Sequence, residues 1–152
     1  MNGRSDSRTL FAITVLALVL RGPSLLTRPI WLDEWLTWDR SAGLLGPAQD
    51  WVPGTYAGLV WAGSELGLEP PLALRLPSLL GALVAVWAAA WMSRTWSRGS
   101  TAHWGAPLLV ACAAGFVPYG HEGRPYSWAV AGAFGVAAAL GPSGPKSRWL
   151  LV

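Results

Sequence analysis

The chain has 152 residues, of which 53% are hydrophobic and only 12% are charged. A soluble domain usually carries about a quarter charged residues, so the composition argues against a water-soluble globular protein. The net charge is +3, but the basic residues form no run and no recognition motif is visible, so we expect no nucleic-acid partner. The apolar residues form blocks that match a lipid bilayer. We therefore predict an all-α fold, a multi-pass transmembrane helical bundle with a long outer loop that contains interfacial helices.

Four apolar segments are candidate membrane spans, each of which needs about 20 mainly apolar residues. The predicted spans cover about residues 9–26, 76–92, 102–119 and 126–141, within a single membrane domain over residues 1–152. The first segment follows two arginines, as a signal peptide would, but no small-residue cleavage site follows it. We therefore interpret it as an uncleaved helix. Arg21 lies near its outer end, where an arginine can extend toward lipid headgroups.

The segment between the first two spans, residues 27–75, is predicted to form the outer loop. Its first helix has one face that carries the tryptophans Trp31, Trp35 and Trp38. The opposite face carries polar residues, namely Asp33, Glu34, Thr37, Arg40 and Ser41. Such an amphipathic helix with a tryptophan face is typical of the membrane interface. The apolar stretch 56–62 is too short to span a bilayer, so we predict a second interfacial helix there.

The distribution of charge predicts the orientation of the spans. The segments on one side carry six basic residues: Arg4, Arg8, Arg94, Arg98, Lys146 and Arg148. The segments on the other side carry the acidic residues Asp33, Glu34, Asp39, Asp50, Glu65, Glu69 and Glu122. Lysine and arginine in short loops favour the cytoplasm. We therefore predict a cytoplasmic N-terminus and acidic loops outside.

Asp33 and Glu34 are the first candidates for chemistry. Neighbouring residues of a helix point about 100° apart, so these carboxylates cannot clasp one shared proton. One of them could act as a base or a metal ligand, and the other could be the structural partner of an arginine. In the alternative interpretation, both only stabilise the positive amino end of the helix.

The second candidate is the outer loop between the third and fourth predicted spans. Pro125 suits the first turn of the fourth helix, which puts Arg124 at the helix entrance. An arginine beside free backbone donors can bind a phosphate group. Alternatively, Arg124 anchors the helix to lipid headgroups and Tyr126 belongs to an aromatic belt. His121 has no partner histidine at metal-ligand spacing, so we expect no two-histidine site.

Taken in order, these segments resemble the N-terminal part of membrane glycosyltransferases with the C fold. This group contains protein O-mannosyltransferase-like and aminoarabinose-transferase-like enzymes, here in a bacterial form. The motifs that carry the resemblance are Trp31-Leu32-Asp33-Glu34, Val52-Pro53-Gly54-Thr55-Tyr56, Leu74-Arg75-Leu76-Pro77-Ser78 and Glu122-Gly123-Arg124-Pro125-Tyr126. Each motif is weakly specific alone, whereas their order and spacing together cover nearly the whole chain.

The resemblance implies a function at the outer face of the bacterial plasma membrane. Such enzymes move a sugar from a polyprenyl-phosphate carrier to an acceptor. Asp33 would be the catalytic carboxylate, with a divalent metal as a possible cofactor, and Glu34 would be its motif partner. Arg124 would bind the donor phosphate, with Glu122 and Tyr126 as further substrate-binding residues. A positioned carboxylate can act as a general base, and an arginine can stabilise the departing phosphate.

The chain also departs from the family. Family members have many more spans, so the resemblance predicts an N-terminal fragment of a longer enzyme, with a fifth span beginning at its C-terminus. The isolated fragment would then be a doubtful catalyst. The alternative is a small non-catalytic integral membrane protein or an assembly subunit. A transporter is a third possibility, disfavoured because no predicted span contains a buried acid or a paired charge midway.

Overall fold

The computed structural model of the protein describes residues 3–42, 54–97 and 101–141. Within these ranges the chain is helical and has no strand, which confirms the predicted all-α class for this part of the protein. The helices are α1 (Gly3–Arg21), α2 (Ser24–Thr27), α3 (Leu32–Ala42), α4 (Gly54–Glu65), α5 (Pro70–Trp96), α6 (Gly105–Cys112) and α7 (Tyr126–Ala139). Two short 3-10 helices, Thr101–Trp104 and Pro118–Gly120, flank α6 on either side. The predicted start of a fifth span lies outside the described residues.

Helical segments differ in whether they could cross a bilayer alone. Among the described residues, two helical segments are long and apolar enough to do so, namely Asp6–Thr27 and α5. The 27 residues of α5 correspond to a length of about 40 Å. The 14 residues of α7 correspond to about 21 Å, which is less than the hydrocarbon thickness of about 30 Å.

The segment predicted as the third span is not one continuous helix. Its α-helix ends at Cys112, and Ala113 has an extended backbone with φ −64° and ψ 132°. The prediction located the apolar segment but not the end of its helix.

Arg21 explains why α6 stops where it does. Its side chain is fully buried, and its guanidinium donates to the carbonyls of Val110, at 2.8 Å, and Ala111, at 2.9 Å. In a longer helix these carbonyls would accept the N–H groups of the following turn. An arginine that binds the last carbonyls also complements the negative end of the helix dipole. Arg21 therefore does not extend toward lipid headgroups, as its position in the sequence suggested.

The core of the bundle surrounds α5. It joins α1, α5, α6 and α7 through small side chains and consists of Ile13, Ala17, Ala85, Val86, Ala89, Val110, Ala111 and Ala131. Gly81 marks the closest approach of α5 to α7, because a Cβ atom there would lie 2.6 Å from Ser127 Oγ and 2.9 Å from Trp128 Cδ1. Small residues at helix contacts are the usual way in which membrane helices approach closely.

Two hydrogen bonds between α5 and α7 show how these helices run relative to each other. Ser127 near the start of α7 donates to the carbonyl of Ser78 near the start of α5, at 2.8 Å. At the other end, Trp96 Nε1 donates to the carbonyl of Ala137, at 3.0 Å. The helices α5 and α7 therefore run in the same direction. We call the end that holds their amino termini the upper end.

Candidate functional site

The residues predicted to carry chemistry meet in one cavity at the upper end. This cavity, which we call the polar cavity, has a volume of about 180 Å³. It is lined by Trp31, Asp33, Glu34, Glu122, Arg124 and Tyr126. The amino end of α3 supplies one part of the lining and the loop before α7 supplies the other. The structure thus brings Asp33 and Arg124 to a common cavity, while the chemical roles of the five predicted residues stay predictions.

Asp33 and Arg124 form a loose ion pair across this cavity. Asp33 Oδ2 lies 3.6 Å from Arg124 Nη2, and the two side chains are 66% and 19% exposed, respectively. A separation of 3.6 Å is too long for a hydrogen bond. Pairs this exposed usually contribute between about 0 and 1 kcal/mol. A stronger anionic partner can therefore replace Asp33 beside the guanidinium at little cost.

Glu34 lies in a very different environment behind the cavity. Its carboxylate accepts two hydrogen bonds from Arg75, from Nε at 2.9 Å and from Nη2 at 2.8 Å. It also accepts the backbone N–H of Gly123 at 2.7 Å and that of Trp31 at 3.1 Å. The contact with Trp31 is typical of a glutamate at the third position of a helix. The side chain of such a glutamate accepts the backbone N–H of the residue that precedes the helix. These four hydrogen bonds fill the roughly four acceptor positions of a carboxylate.

Arg75 is equally occupied. Its remaining donors bind the carbonyls of Leu25 and Arg28, both at 2.9 Å, and of Pro29 at 2.8 Å. The Arg75 and Glu34 side chains are only 1% and 3% exposed. A charge this deeply buried requires such a complete set of partners. The pair therefore fastens the α2–α3 connection and the loop before α7 to the first turns of α5.

The surroundings of Glu34 also determine its charge. Burial alone would raise its pKa, but the hydrogen bonds from Arg75, Gly123 and Trp31 and the charge of Arg75 outweigh burial and hold the pKa below its ordinary value. Glu34 therefore stays ionised and has no free lone pair to offer a substrate. These contacts favour the structural interpretation of Glu34, the partner of an arginine, over the catalytic one.

The orientation of α3 follows from this cluster. The side chains of Glu34, Thr37 and Ser41 on its polar face are buried, whereas Trp31 and Trp35 are 61% and 46% exposed. The part of the polar face that carries Glu34, Thr37 and Ser41 turns inward, and this lets Glu34 reach Arg75. The helices predicted around residues 31 and 56 are present as α3 and α4, and their place at a membrane interface stays a prediction.

Hydroxyl groups hold the backbone of Arg124. Ser78 Oγ donates to the carbonyl of Arg124 at 2.7 Å and lies 2.7 Å from the Tyr56 hydroxyl. The guanidinium carbon lies 5.9 Å from the centre of the Tyr126 ring, within the range of a cation–π contact. Arg124 Nε is buried and has no hydrogen-bond partner among the described residues. The backbone of Arg124 is fixed, and its guanidinium is held at Asp33 only by the loose 3.6 Å ion pair.

A second, apolar cavity shares one lining residue with the polar cavity. We call it the apolar cavity; its volume is about 450 Å³. It lies between α4 and α7 and is lined by Thr55, Tyr56, Leu59, Pro125, Tyr126, Trp128 and Ala129. Tyr126 lines both cavities. The upper end thus combines an apolar space with a charged space, the two meeting at one side chain.

His121 is a buried group that the sequence did not single out for function. It is 3% exposed, and neither ring nitrogen has a hydrogen-bond partner in the part of the chain that the structure describes. Burial and the positive charges of Arg28, Arg21 and Arg75 lower its pKa to about 4. His121 is therefore neutral at pH 7 and adds no charge beside the polar cavity.

Sequence reasoning did not assign a site role to Arg75 or Trp31. A lone arginine next to an apolar run is itself a signal that a buried partner exists. Trp31 was grouped with the other tryptophans of an interfacial belt. Within residues 3–42, 54–97 and 101–141, no group of three His, Cys, Asp or Glu side chains could hold a metal ion. A divalent metal at Asp33 stays a prediction.

No protein-family model, curated protein or solved structure matches the chain. The function must therefore be argued from the two cavities and from the order of the motifs. The polar cavity offers an exposed carboxylate on Asp33, a guanidinium held there only by a loose ion pair, and a second carboxylate on Glu122. Such a set can bind an anion and accept a proton in the same space.

Proposed function

We propose that the chain is the N-terminal portion of a membrane glycosyltransferase that moves a sugar from a polyprenyl-phosphate carrier to an acceptor outside the bacterial plasma membrane. The observation that carries this proposal is that Tyr126 lines both the apolar and the polar cavity. A carrier of this kind has an apolar chain and an anionic head. The apolar cavity suits the chain because burial removes it from water, and Arg124 suits the phosphate.

Arg124 and Asp33 would have separate roles in the reaction. The acceptor oxygen forms a bond to the first carbon of the sugar while the bond from that carbon to the phosphate oxygen breaks. Arg124 stabilises the charge that develops on the departing phosphate. Asp33 accepts the proton that the acceptor hydroxyl loses. Binding of the donor phosphate to Arg124 would also release Asp33 from its 3.6 Å ion pair.

Glu34 has a positioning role in this proposal. Its filled carboxylate holds the backbone of Trp31 on one side of the polar cavity and that of Gly123 on the other. Glu122 and Tyr126 line the cavity beside Arg124 and are the proposed contacts to the substrate. Because Glu34 fixes both sides of the cavity, its loss would change the distance between Asp33 and Arg124.

The proposed membrane arrangement places the upper end outside. Helices α1 and α5 would cross the bilayer, and the α6 and α7 segments would complete two further passes. The contact of Arg21 with the end of α6 supports this arrangement, because backbone carbonyls at membrane depth need internal partners. The exposed Trp31 and Trp35 of α3 suit the outer interface.

Thiol labelling tests the orientation. Single cysteines would be introduced as Asp39→Cys and Ser97→Cys in a Cys112→Ser background, since Cys112 is free and exposed. Asp39 is exposed on α3, whereas the nearby Ser41 is buried and unsuitable as a probe. An impermeant reagent should label position 39 but not position 97 in intact cells. Labelling at 97 alone would contradict the proposed orientation.

A transfer assay tests the activity. The protein as its genome encodes it would be reconstituted in liposomes with polyprenyl-phosphate carriers that bear labelled hexoses or pentoses. Wild type should transfer sugar, and Arg124→Lys should transfer at least about tenfold less, because a lysine cannot make two parallel contacts to a phosphate. Arg40→Lys on α3 is the matched control and should retain activity. Wild type that transfers none of these sugars would favour the non-catalytic alternative.

A further inference from the structure

Trp31 is a wall of the polar cavity. It lines that cavity together with the charged residues, and it is 61% exposed. Its backbone is held in place, because its N–H donates to Glu34 Oε2 at 3.1 Å. A large aromatic surface on a fixed backbone is a preformed binding surface, since a tryptophan loses little conformational freedom when a ligand covers it.

Trp35 is a second exposed tryptophan of α3 with which Trp31 can be compared. It follows one helical turn later on the same face of α3 and is 46% exposed, but it is not among the residues that line the polar cavity. A preference of tryptophan for the membrane interface would apply equally to both residues. The position beside the charged cavity belongs to Trp31 and not to Trp35.

We propose that the indole ring of Trp31 is the platform on which the sugar ring of the donor stacks. This inference depends on the proposed glycosyltransferase function. A sugar ring has a face of C–H groups and a rim of hydroxyl groups. The negative face of an indole attracts the slightly positive C–H hydrogens. The carboxylates of Asp33 and Glu122, which line the same cavity, can accept hydrogen bonds from the hydroxyl rim.

With Trp31, three surfaces of the protein would each bind one part of the donor. The apolar cavity receives the carrier chain, Arg124 receives the phosphate and Trp31 receives the sugar. Because Glu34 holds the Trp31 backbone and the Gly123 backbone, the surfaces for sugar and phosphate keep a fixed separation.

Binding of the carrier with and without its sugar tests the platform. Trp31→Leu, Trp31→Phe and Trp35→Leu would be compared with wild type, using polyprenyl phosphate and the sugar-bearing carrier that wild type uses. Trp31→Leu should weaken binding of the sugar-bearing carrier about tenfold, raise KM by a similar factor and leave binding of the bare carrier unchanged. Trp31→Phe should recover most of the loss because its ring can still stack, and Trp35→Leu should resemble wild type.

Two results would overturn the platform while leaving the proposed function intact. In the first, Trp31→Leu binds and transfers like wild type. In the second, it weakens the bare and the sugar-bearing carrier equally, which is expected of a residue that only contacts lipid. Failure of wild type to transfer any sugar would instead overturn the proposed function and the platform together.

Discussion

Asp33 and Glu34 are adjacent carboxylates on α3, and their surroundings differ in nearly every respect. The Asp33 side chain is 66% exposed and has one loose ion pair at 3.6 Å. The Glu34 side chain is 3% exposed and accepts four hydrogen bonds. A turn of about 100° along a helix separates the two environments. The carboxylate available for chemistry is therefore Asp33, whose acceptor positions are still free.

The Glu34–Arg75 cluster and the Asp33–Arg124 pair also depend on each other. The Glu34–Arg75 cluster is closed to substrates, yet it holds the backbone on both sides of the polar cavity through Trp31 and Gly123. The Asp33–Arg124 region is open and held only loosely. A rigid, saturated cluster beneath an open pair is a general way to keep reactive groups in place while leaving them free to bind.

The largest effect on folding is expected for Glu34→Gln. The variant would leave the Arg75 charge buried without its counter-ion, and breaking a buried pair in this way costs about 3–5 kcal/mol. Thermal unfolding in detergent measures the loss. Asp33→Asn is the control and should stay within about 0.5 kcal/mol of wild type, since it alters an exposed group. Equal destabilisation by the two variants would contradict the contrast between the two carboxylates.

A second test of the saturated cluster replaces both partners. Glu34→Leu combined with Arg75→Leu removes both buried charges at once, so it should unfold at a higher temperature than Glu34→Gln. The carbonyls of Leu25, Arg28 and Pro29 would lose their donor, so we expect partial recovery only. A double variant less stable than Glu34→Gln would show that these carbonyl contacts outweigh the buried charge.

A moderate effect is expected on the dependence of stability on pH. Because the folded protein lowers the pKa of His121 to about 4, from an ordinary value of about 6.5, the unfolded chain binds the proton more readily. Stability should therefore fall as pH drops from about 6.5 toward 4, by at most about 1.4 kcal/mol per pH unit from this group. Glu34, whose pKa is also lowered, adds a further loss only below about pH 4.5.

Unfolding temperatures between pH 7 and pH 5 check this expectation. The variant His121→Leu cannot take up a proton, so its unfolding temperature should change less than that of wild type over this range. Glu34 does not contribute there because it is ionised in both the folded and unfolded chain at these pH values. Parallel curves for His121→Leu and wild type would contradict a buried neutral histidine beside the arginines.

The smallest effect is expected for Gly123→Ala. The backbone N–H would still be present, but the new Cβ would lie 3.0 Å from Leu74 Cβ and 3.2 Å from Glu34 Oε1. Glu34 would have to shift by a few tenths of an ångström, so we expect a loss of about 1 kcal/mol. Gly115→Ala, in the turn after α6, is a matched control, since a Cβ there meets no atom within 4 Å. A stability equal to that of the control would show that the cluster is less rigid than its contacts indicate.

The helices were largely predictable from sequence, because long apolar segments identify α1, α5 and α7 by local composition. The short α6 was not, since its end depends on Arg21, about 90 residues earlier in the chain. The order of the motifs grouped residues that the structure brings to one cavity, and their roles stay predictions. Which of the two adjacent carboxylates is buried was not predictable, because that depends on Arg75, 41 residues from Glu34. Both the end of α6 and the burial of Glu34 depend on a contact with one arginine that is distant in the sequence.

Sugar transfer by Asp33→Asn, expressed per folded molecule, tests the central claim most directly. The substitution keeps the shape of the side chain and removes the charge that would accept the proton. If Asp33 is the open, reactive carboxylate, transfer should fall by about 10²–10⁴-fold, while the unfolding temperature and the binding of the bare carrier remain close to those of wild type. Near-normal transfer by this variant would contradict the assignment of the reactive carboxylate to Asp33.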